Sequence, residues 1–460
     1  MQSHLASTPA SLIWRLKGLT RLKSLMDFSG KNVAVLDTIH GAREICKKLR
    51  EIGAAAVAIN IYHNTPTPDV IDSFDVVITP VHAHTALVAR AEALDIPVLT
   101  HHQAVGQLVR QSEVLHDALV FEVTGVKGKT STAALLSNAY ADRKLLTLTS
   151  LGLEVSENGR YVAKKRLSIT PASILTAIDL AKEFDFDPEV YIFEVSLGGT
   201  GLADINIITT LLPEYDIAQH TKTSTSAKLE MTTNAKASSC LIAPIKAAPL
   251  IKQSYCLNTF GDDEANVRYE NKRSNEATIA YSDLERMGGS LTSGEIHFTL
   301  SGYFDFKSYE NALLCFTAAA LSANLSPETI SSQLSYFKGV LGRMSTAKFN
   351  GRFLIDNSNS GLDERSIKRA IKFGLTFKKA GHKIVLIIGM EANVCEGLPS
   401  EVLLSLTESD ILDDVVFVSD QVQTLRKGVV QTNTLESALR KALELTNASD
   451  VIISCVKMWR

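Results

Sequence analysis

Cysteine is scarce in this chain: six in 460 residues, at Cys46, Cys240, Cys256, Cys315, Cys395 and Cys455, with no CxxC pair among them. That scatter excludes a zinc ribbon and offers no disulfide framework. The expectation is that most are reduced, partly buried thiols in a reducing, cytoplasmic setting. A dominant charge is lacking too. The net charge is −3, so no global field argues for nucleic acid or an anionic membrane surface. No apolar run reaches the ~18 residues of an integral membrane span. Internal repeats and low-complexity tracts are absent, and no G-x-G-x-x-G follows the first apolar run, which reads Leu36-Asp37-Thr38-Ile39-His40-Gly41 instead. Dinucleotide binding is therefore unsupported. What remains is 45% apolar and 21% charged, an ordinary globular balance. The length suggests roughly three domains.

Residues 1–26 differ from the rest. Leu12, Leu16, Leu19, Leu22 and Met26 recur at helical spacing, with Arg15, Lys17, Arg21 and Lys23 between them. The segment reads as an amphipathic extension that docks on the body or precedes a natural start at Met26; contact with a membrane or partner is the second reading. From 27 to 114, strand signals (32–36, 54–61, 76–79, 96–100) alternate with helical ones (42–52, 85–93). Such alternation predicts a parallel, Rossmann-like domain. A central domain is expected over 115–345, with strands at 118–123, 190–195 and 205–210, β-rich sequence at 255–310, and helices at 309–323 and 326–337. A C-terminal α/β domain is expected over 346–460, with strands at 352–356, 383–388, 415–418 and 451–455.

The central segment opens with Phe-Glu-Val-Thr-Gly-Val-Lys-Gly-Lys-Thr-Ser-Thr over 121–132. An apolar strand enters a glycine turn, and a helical pattern follows. Backbone amides at such a junction, with the helix dipole, attract phosphate. Thr124, Gly125, Val126, Lys127, Gly128, Lys129, Thr130 and Ser131 are the candidate ATP-binding loop. Lys129 would supply a mobile cation and Thr130 a hydroxyl for Mg2+. The common phosphate loop carries a glycine where this chain has Val123, so the match is to a variant form, T-G-x-x-G-K-T-S-T.

That variant, placed in the second of three α/β segments, resembles the Mur ligase family, whose members couple ATP cleavage to joining a carboxylate to a nucleophile. The resemblance covers roughly residues 30–455. It implies a three-domain architecture: a Rossmann-like N-terminal domain, a central P-loop ATPase domain and a Rossmann-like C-terminal domain. Thr170-Pro171 resembles the pair that shapes the family's substrate cleft. Glu194-Val195-Ser196 resembles its glutamate-x-serine, which implies Glu194 as a magnesium ligand and Ser196 beside the substrate. Gln219-His220 stands where an aspartate-histidine pair is usual, and His220 is the implied metal ligand. Ala235-Lys236 resembles the site of a carbamylated lysine that bridges the metal ions. Lys228 is the second candidate for that role, at shorter spacing. Asn311 resembles the residue that contacts adenine. Gly342-Arg343 resembles the pair whose arginine reaches the phosphates. ATP and Mg2+, two ions by this reading, are the implied cofactors.

The third segment departs from the family pattern. Most members carry aspartate-x-alanine-histidine-x-proline at its first strand; here Asp356-Asn357-Ser358-Asn359-Ser360-Gly361 keeps only the aspartate. Nor is the usual lysine-bearing stretch evident after Gly389. These departures, with 35–41 in place of a UDP-sugar signature, resemble the archaeal branch that serves coenzyme F-430 biosynthesis in methanogens. What that implies is a ligase-type cyclase. ATP activates a propionate on a nickel tetrapyrrole, and the acyl phosphate closes onto a ring carbon, with Lys129, Lys236, Arg343 and Asp356 as catalytic residues. An amino-acid ligase of the folylpolyglutamate type is the alternative, and a nucleotide-binding protein without catalysis a third reading. The implied partner is the small-molecule tetrapyrrole, acting on a monomer or homodimer. His40, His63, His82, His84, His101 and His102 are only loosely suggestive of contacts to its carboxylates.

Overall fold

A computed structural model describes residues 26–252, 256–273, 275–300, 305–392, 394, 411–420 and 429–459. The amphipathic extension falls outside these residues except for Met26. They group into two compact units, one holding residues 26–299 with 311–334, the other 300–310 with 335–459.

The first unit contains two sheets that matter here. The smaller has four parallel strands, in the order Ala55–Ile59, Asn32–Leu36, Val76–Thr79, Val98–Thr100. The larger has eleven strands. At its centre Leu119–Thr124 lies between Ile205–Ile208 and Val190–Glu194, all parallel. Antiparallel ribbons extend both edges: 145–165 on one side and 267–299 on the other. The central strands read as continuous β-branched and aromatic runs because helices cover both faces. Phe121, Ile192, Phe193 and Ile207 are all fully buried.

One apolar core runs from Phe28 through Val105, Leu146 and Phe193 to Ala203, so the expected boundary near 114 is crossed by continuous packing. Helices Ala42–Glu51, His101–Gln111 and Ala172–Glu183 face this core, which is why the first two sequence segments form one unit. A part-buried polar bridge crosses the same boundary. Arg110 donates through Nη2 to the carbonyls of Gly201 (2.5 Å) and Asn234 (2.8 Å).

The second unit holds a six-stranded sheet, ordered Ser345–Phe349, Arg352–Asp356, Val451–Lys457, Ile384–Met390, Asp414–Val418, Val429–Thr432. Val385, Ile387, Val416 and Ile452 fill its core with Ala438 and Ala442 of the helix Leu435–Leu445. Residues 335–345 belong to this unit, earlier than the boundary expected at 346.

One cysteine pair departs from the sequence expectation that no disulfide is indicated. Cys240 and Cys256 form a disulfide. They stand opposite each other on adjacent parallel strands, with Cα atoms 4.7 Å apart. Sequence spacing could not show this, because the pairing is set by strand register. Cys46, Cys315 and Cys455 are free and buried, as expected.

Candidate active site

Helices 101–111, 224–234, 364–375 and 435–445 each begin with a reciprocal side-chain capping box. Lys129–Ala139 does not. It starts at Gly128, in the left-handed region at φ 90°, with no side-chain cap. Its first-turn amides, lacking such a cap, suit an anion.

The loop before it is clamped from the neighbouring strand. The Thr209 hydroxyl donates to the Lys127 carbonyl at 2.6 Å, and Val126 N–H donates to Thr210 O at 2.8 Å. Gly125 has φ 143°, and a Cβ there would lie 2.1 Å from Thr209 Oγ1. Only glycine lets the loop pass this close. On the other side Thr124 Oγ1 accepts from Gly198 N–H at 3.1 Å.

Glu194 ends the adjacent strand and is 2% exposed. Its Oε2 accepts from the Thr130 hydroxyl (2.9 Å) and from Ser150 N–H (2.9 Å), and its Oε1 stands 3.9 Å from Lys129 Nζ. Thr130 Oγ1 is also 3.0 Å from Ser150 Oγ. A carboxylate and two hydroxyls are hard oxygen donors of the kind Mg2+ selects, so this set fits the ion. Lys129 Nζ donates to Gly125 O at 3.0 Å, folded back over its own loop. The sequence reading brought forward Lys129, Thr130 and Glu194, which the fold gathers. It missed Ser150 and Thr209. Ser150 lies in no motif, and Thr209 only opens the stretch 209–220 that resembles the family's strand before its aspartate-histidine pair; the signal for either role was its place at a strand end.

Thr170 and Ser196 also come together. Ser196 N–H donates to Ile169 O at 2.9 Å, and the Thr170 hydroxyl is 3.1 Å from Ser173 Oγ. His102, on the helix 101–111, donates through Nε2 to Ser196 O at 2.8 Å. Burial pushes the His101 and His102 imidazoles down to about 4, leaving both neutral at physiological pH.

The two lysine candidates have separated. Lys236 pairs with Asp204 Oδ1 at 3.0 Å. Asp204 immediately precedes the strand Ile205–Ile208, so this pair sits at the amino end of a strand whose carboxyl end meets the phosphate loop. Lys228 lies 1% exposed on the helix Ser224–Asn234. It donates to Ser224 O at 3.0 Å and stands 5.1 Å from the Tyr215 ring centroid. Burial, then the nearby Lys129 cation, pulls its pKa down to about 8. His220 is 84% exposed in its side chain and bonds Asp216 at 2.9 Å. Asp216 thus supplies a carboxylate partner that the sequence reading found missing at Gln219.

Asn311 is exposed on the helix Phe306–Ser322. In the second unit, Arg343 Nη1 donates to Asn359 Oδ1 at 2.6 Å, while Asn359 Nδ2 donates to Gly342 O at 2.8 Å. Asn359, where most Mur ligases carry histidine, therefore fixes the glycine-arginine pair. Asp356 is buried and accepts from Ser358 N–H at 3.1 Å.

This architecture matches solved Mur-type ligases. UDP-N-acetylmuramoylalanyl-D-glutamyl-2,6-diaminopimelate–D-alanyl-D-alanyl ligase of Acinetobacter baumannii superposes with TM-score 0.53 at 14% identity, over 92% of this chain and 97% of that one. A bifunctional folylpolyglutamate synthase/dihydrofolate synthase, bound to Mn, AMPPNP and L-glutamate, gives TM-score 0.54 at 17% identity, over 77% and 90%. The fold is therefore that of the Mur-type ligases. Among sequence relatives, coenzyme F(430) synthetase of Methanosarcina acetivorans is 32% identical over 95% of this chain and 100% of its own length. A family profile, "Coenzyme F430 synthetase CfbE, C-terminal domain", matches residues 346–458. The chain belongs to the coenzyme F(430) synthetase family. Among the described residues no helix is long and apolar enough to cross a membrane.

Proposed function

We propose that this chain uses ATP and Mg2+ to turn a propionate carboxylate of a nickel tetrapyrrole into an acyl phosphate, then closes a carbocycle, releasing ADP and phosphate. The observation that carries this reading is the Thr130–Ser150–Glu194 cluster at the mouth of an uncapped helix, in a chain of this family. A substrate carboxylate oxygen attacks the γ-phosphorus, and the bond to ADP breaks. A ring carbon then attacks the acyl carbon, phosphate leaves, and that carbon gives up its proton. The net change in the tetrapyrrole is loss of one water.

Thr130, Glu194 and Ser150 would hold Mg2+, which when bound offsets phosphate charge. Lys129 would swing from Gly125 O onto the transferred phosphoryl group. The amides of 125–131 would orient the triphosphate, and Asn311 would lie against adenine. Thr170 and Ser196 would position the carboxylate, because the Ile169–Ser196 hydrogen bond locks their backbones side by side.

For the carbamylated lysine we favour Lys228 over Lys236. Carbamylation needs a neutral amine to attack carbon dioxide. With a pKa of about 8, roughly a tenth of Lys228 is neutral at pH 7. Lys236 is committed to Asp204 at the far end of its strand.

The test is direct. Protein, Mg-ATP and a nickel tetrapyrrole propionic acid are incubated together. The expected result is tetrapyrrole-dependent phosphate release and a product lighter by one water. Release that requires an added amino acid, with a correspondingly heavier product, would replace this reading with amide ligation. ATP binding without phosphate release would replace it with a non-catalytic role.

A further inference from the structure

A second constellation stands outside the ATP chemistry. In the four-stranded sheet all strands are parallel, so their carboxyl ends share one edge, the usual place for a ligand in such sheets. Asp37 follows the strand Asn32–Leu36, Tyr62 follows Ala55–Ile59, and His82 follows Val76–Thr79. His40 lies in the turn that Asp37 begins.

Asp37 is fully buried and takes φ 79°, the left-handed region that a side chain seldom adopts. Such a conformation costs about 1–2 kcal/mol and needs its surroundings to hold it. One carboxylate oxygen, Oδ1, accepts from the amides of Ile39 (2.9 Å) and His40 (3.1 Å). The other, Oδ2, accepts from the Tyr62 hydroxyl at 3.1 Å. Those three donors already satisfy the buried carboxylate. Two imidazoles nevertheless converge on the same Oδ2: His40 Nδ1 at 2.6 Å and His82 Nε2 at 3.7 Å. The donor atoms of Asp37, His40 and His82 all lie within 4.8 Å of one another. Both histidine side chains remain about a third exposed, at 39% and 32%, so the cluster opens to solvent on one side.

We propose that Asp37 Oδ2, His40 Nδ1 and His82 Nε2 form a site for a divalent cation of the zinc or cobalt type, with the Tyr62 hydroxyl, 3.1, 3.4 and 3.2 Å from those atoms in turn, beside the fourth position. Two imidazoles and one carboxylate are the donor set such ions take when a coordination position is kept for water or substrate. Bonds of about 2.0–2.1 Å in a tetrahedron place donors about 3.4 Å apart. The Asp37–His82 separation of 3.7 Å is close to that. The His40 ring would retreat slightly from Asp37 as the ion replaces the proton between them. Until a ligand displaces it, the Tyr62 hydroxyl would stay on Asp37 Oδ2 and orient it, the usual task of a residue behind a ligand.

The surroundings place this site beside the substrate turn. A Cβ on Gly41 would fall 2.2 Å from Ala172 Cβ, two positions past Thr170, and the His82 carbonyl accepts from Ala218 N–H at 3.0 Å. The turn that carries His40 therefore packs on the helix that follows Thr170-Pro171, and an oxygen donor of an acidic substrate is the ligand class that would replace the Tyr62 hydroxyl or a water on the ion.

The test uses the full chain, stripped with chelator and titrated with Co2+ without nucleotide or Mg2+. The expected result is one equivalent bound with visible d–d absorption of a low-coordinate nitrogen–oxygen site. H40A and H82A should each weaken binding by at least ~100-fold, while K129A binds as wild type. Both histidines are part-exposed, so these variants keep the fold, as circular dichroism would show. A featureless titration, or an absorbing equivalent that persists in the H40A/H82A double variant, would overturn the proposal. Neither outcome bears on ATP turnover, so this site stands or falls apart from the reading above.

Discussion

Glu122 and Glu194 are buried on adjacent strands of the same sheet, where Glu122 pairs in register with Phe193 and Val123 with Glu194. Their surroundings separate them. Glu122 accepts from Thr200 N–H (3.1 Å), Gly201 N–H (3.1 Å) and the Thr200 hydroxyl, with Arg110 nearby. Burial raises its pKa, while those hydrogen bonds and the Arg110 charge act the other way. Each of its partners is a fixed protein group. Glu194 instead faces Thr130, Ser150 and Lys129, groups that can turn toward a nucleotide and metal. Glu122 is held by two backbone amides and one hydroxyl, whereas Glu194, with a single backbone amide, keeps a hydroxyl and an ammonium that can move to a ligand.

The comparison can be broken from either side. The largest effect belongs to the phosphate loop. Lys129→Ala should cut ATP turnover by about 10³-fold or more with stability unchanged, and wild-type turnover would remove the assignment. Glu194→Gln should lose most Mg2+-dependent turnover yet unfold within ~1 kcal/mol of the parent, as read by urea denaturation. Glu122→Ala should do the reverse. It strands buried donors of Thr200 and Gly201 beside Arg110, at a cost of about 3 kcal/mol, while the surviving folded protein still turns over ATP.

Lysines 228 and 236 sharpen the same contrast. Lys228→Met should abolish most activity and stabilise the protein by about 1–3 kcal/mol at pH 7, since burying the ammonium is costly. The folded-state pKa of about 8 lies below the ordinary lysine value of 10.5, so the unfolded chain holds the proton more tightly. Wild-type stability therefore gains as pH rises from about 8 to 10.5, and the advantage of the methionine variant should shrink across that window. Smallest of all is Lys236→Met. It removes a part-exposed ion pair, so stability should change by under ~1 kcal/mol and turnover stay intact. Lost turnover there would restore Lys236 to the metal site.

Much of the fold was legible because its elements are punctuated locally. The strands at 32–36 and 76–79 are apolar runs bounded by turn residues, and they fall where expected. The phosphate loop was legible because its glycines and lysine are contiguous. Contacts set by register were not. The Cys240–Cys256 bridge joins two strands, while the Ser150 amide on Glu194 and the Thr209 clamp join residues at or just past the ends of different strands, and no spacing encodes them. Nor could spacing choose between Lys228 and Lys236. Both are polar-segment lysines by pattern, and only their burial and position along a strand tell them apart.

Gly41 has a further consequence. With φ 113° and its missing Cβ directed at Ala172, the turn bearing His40 is seated on the helix that follows Thr170-Pro171. The two positions can drift only in concert, since a methyl gained at 41 has nowhere to go while 172 stays. A chimera that swaps residues 27–114 between relatives should therefore assemble only when the graft also brings its own residue 172, which makes this pair of small residues a practical guide to where such exchanges can be cut.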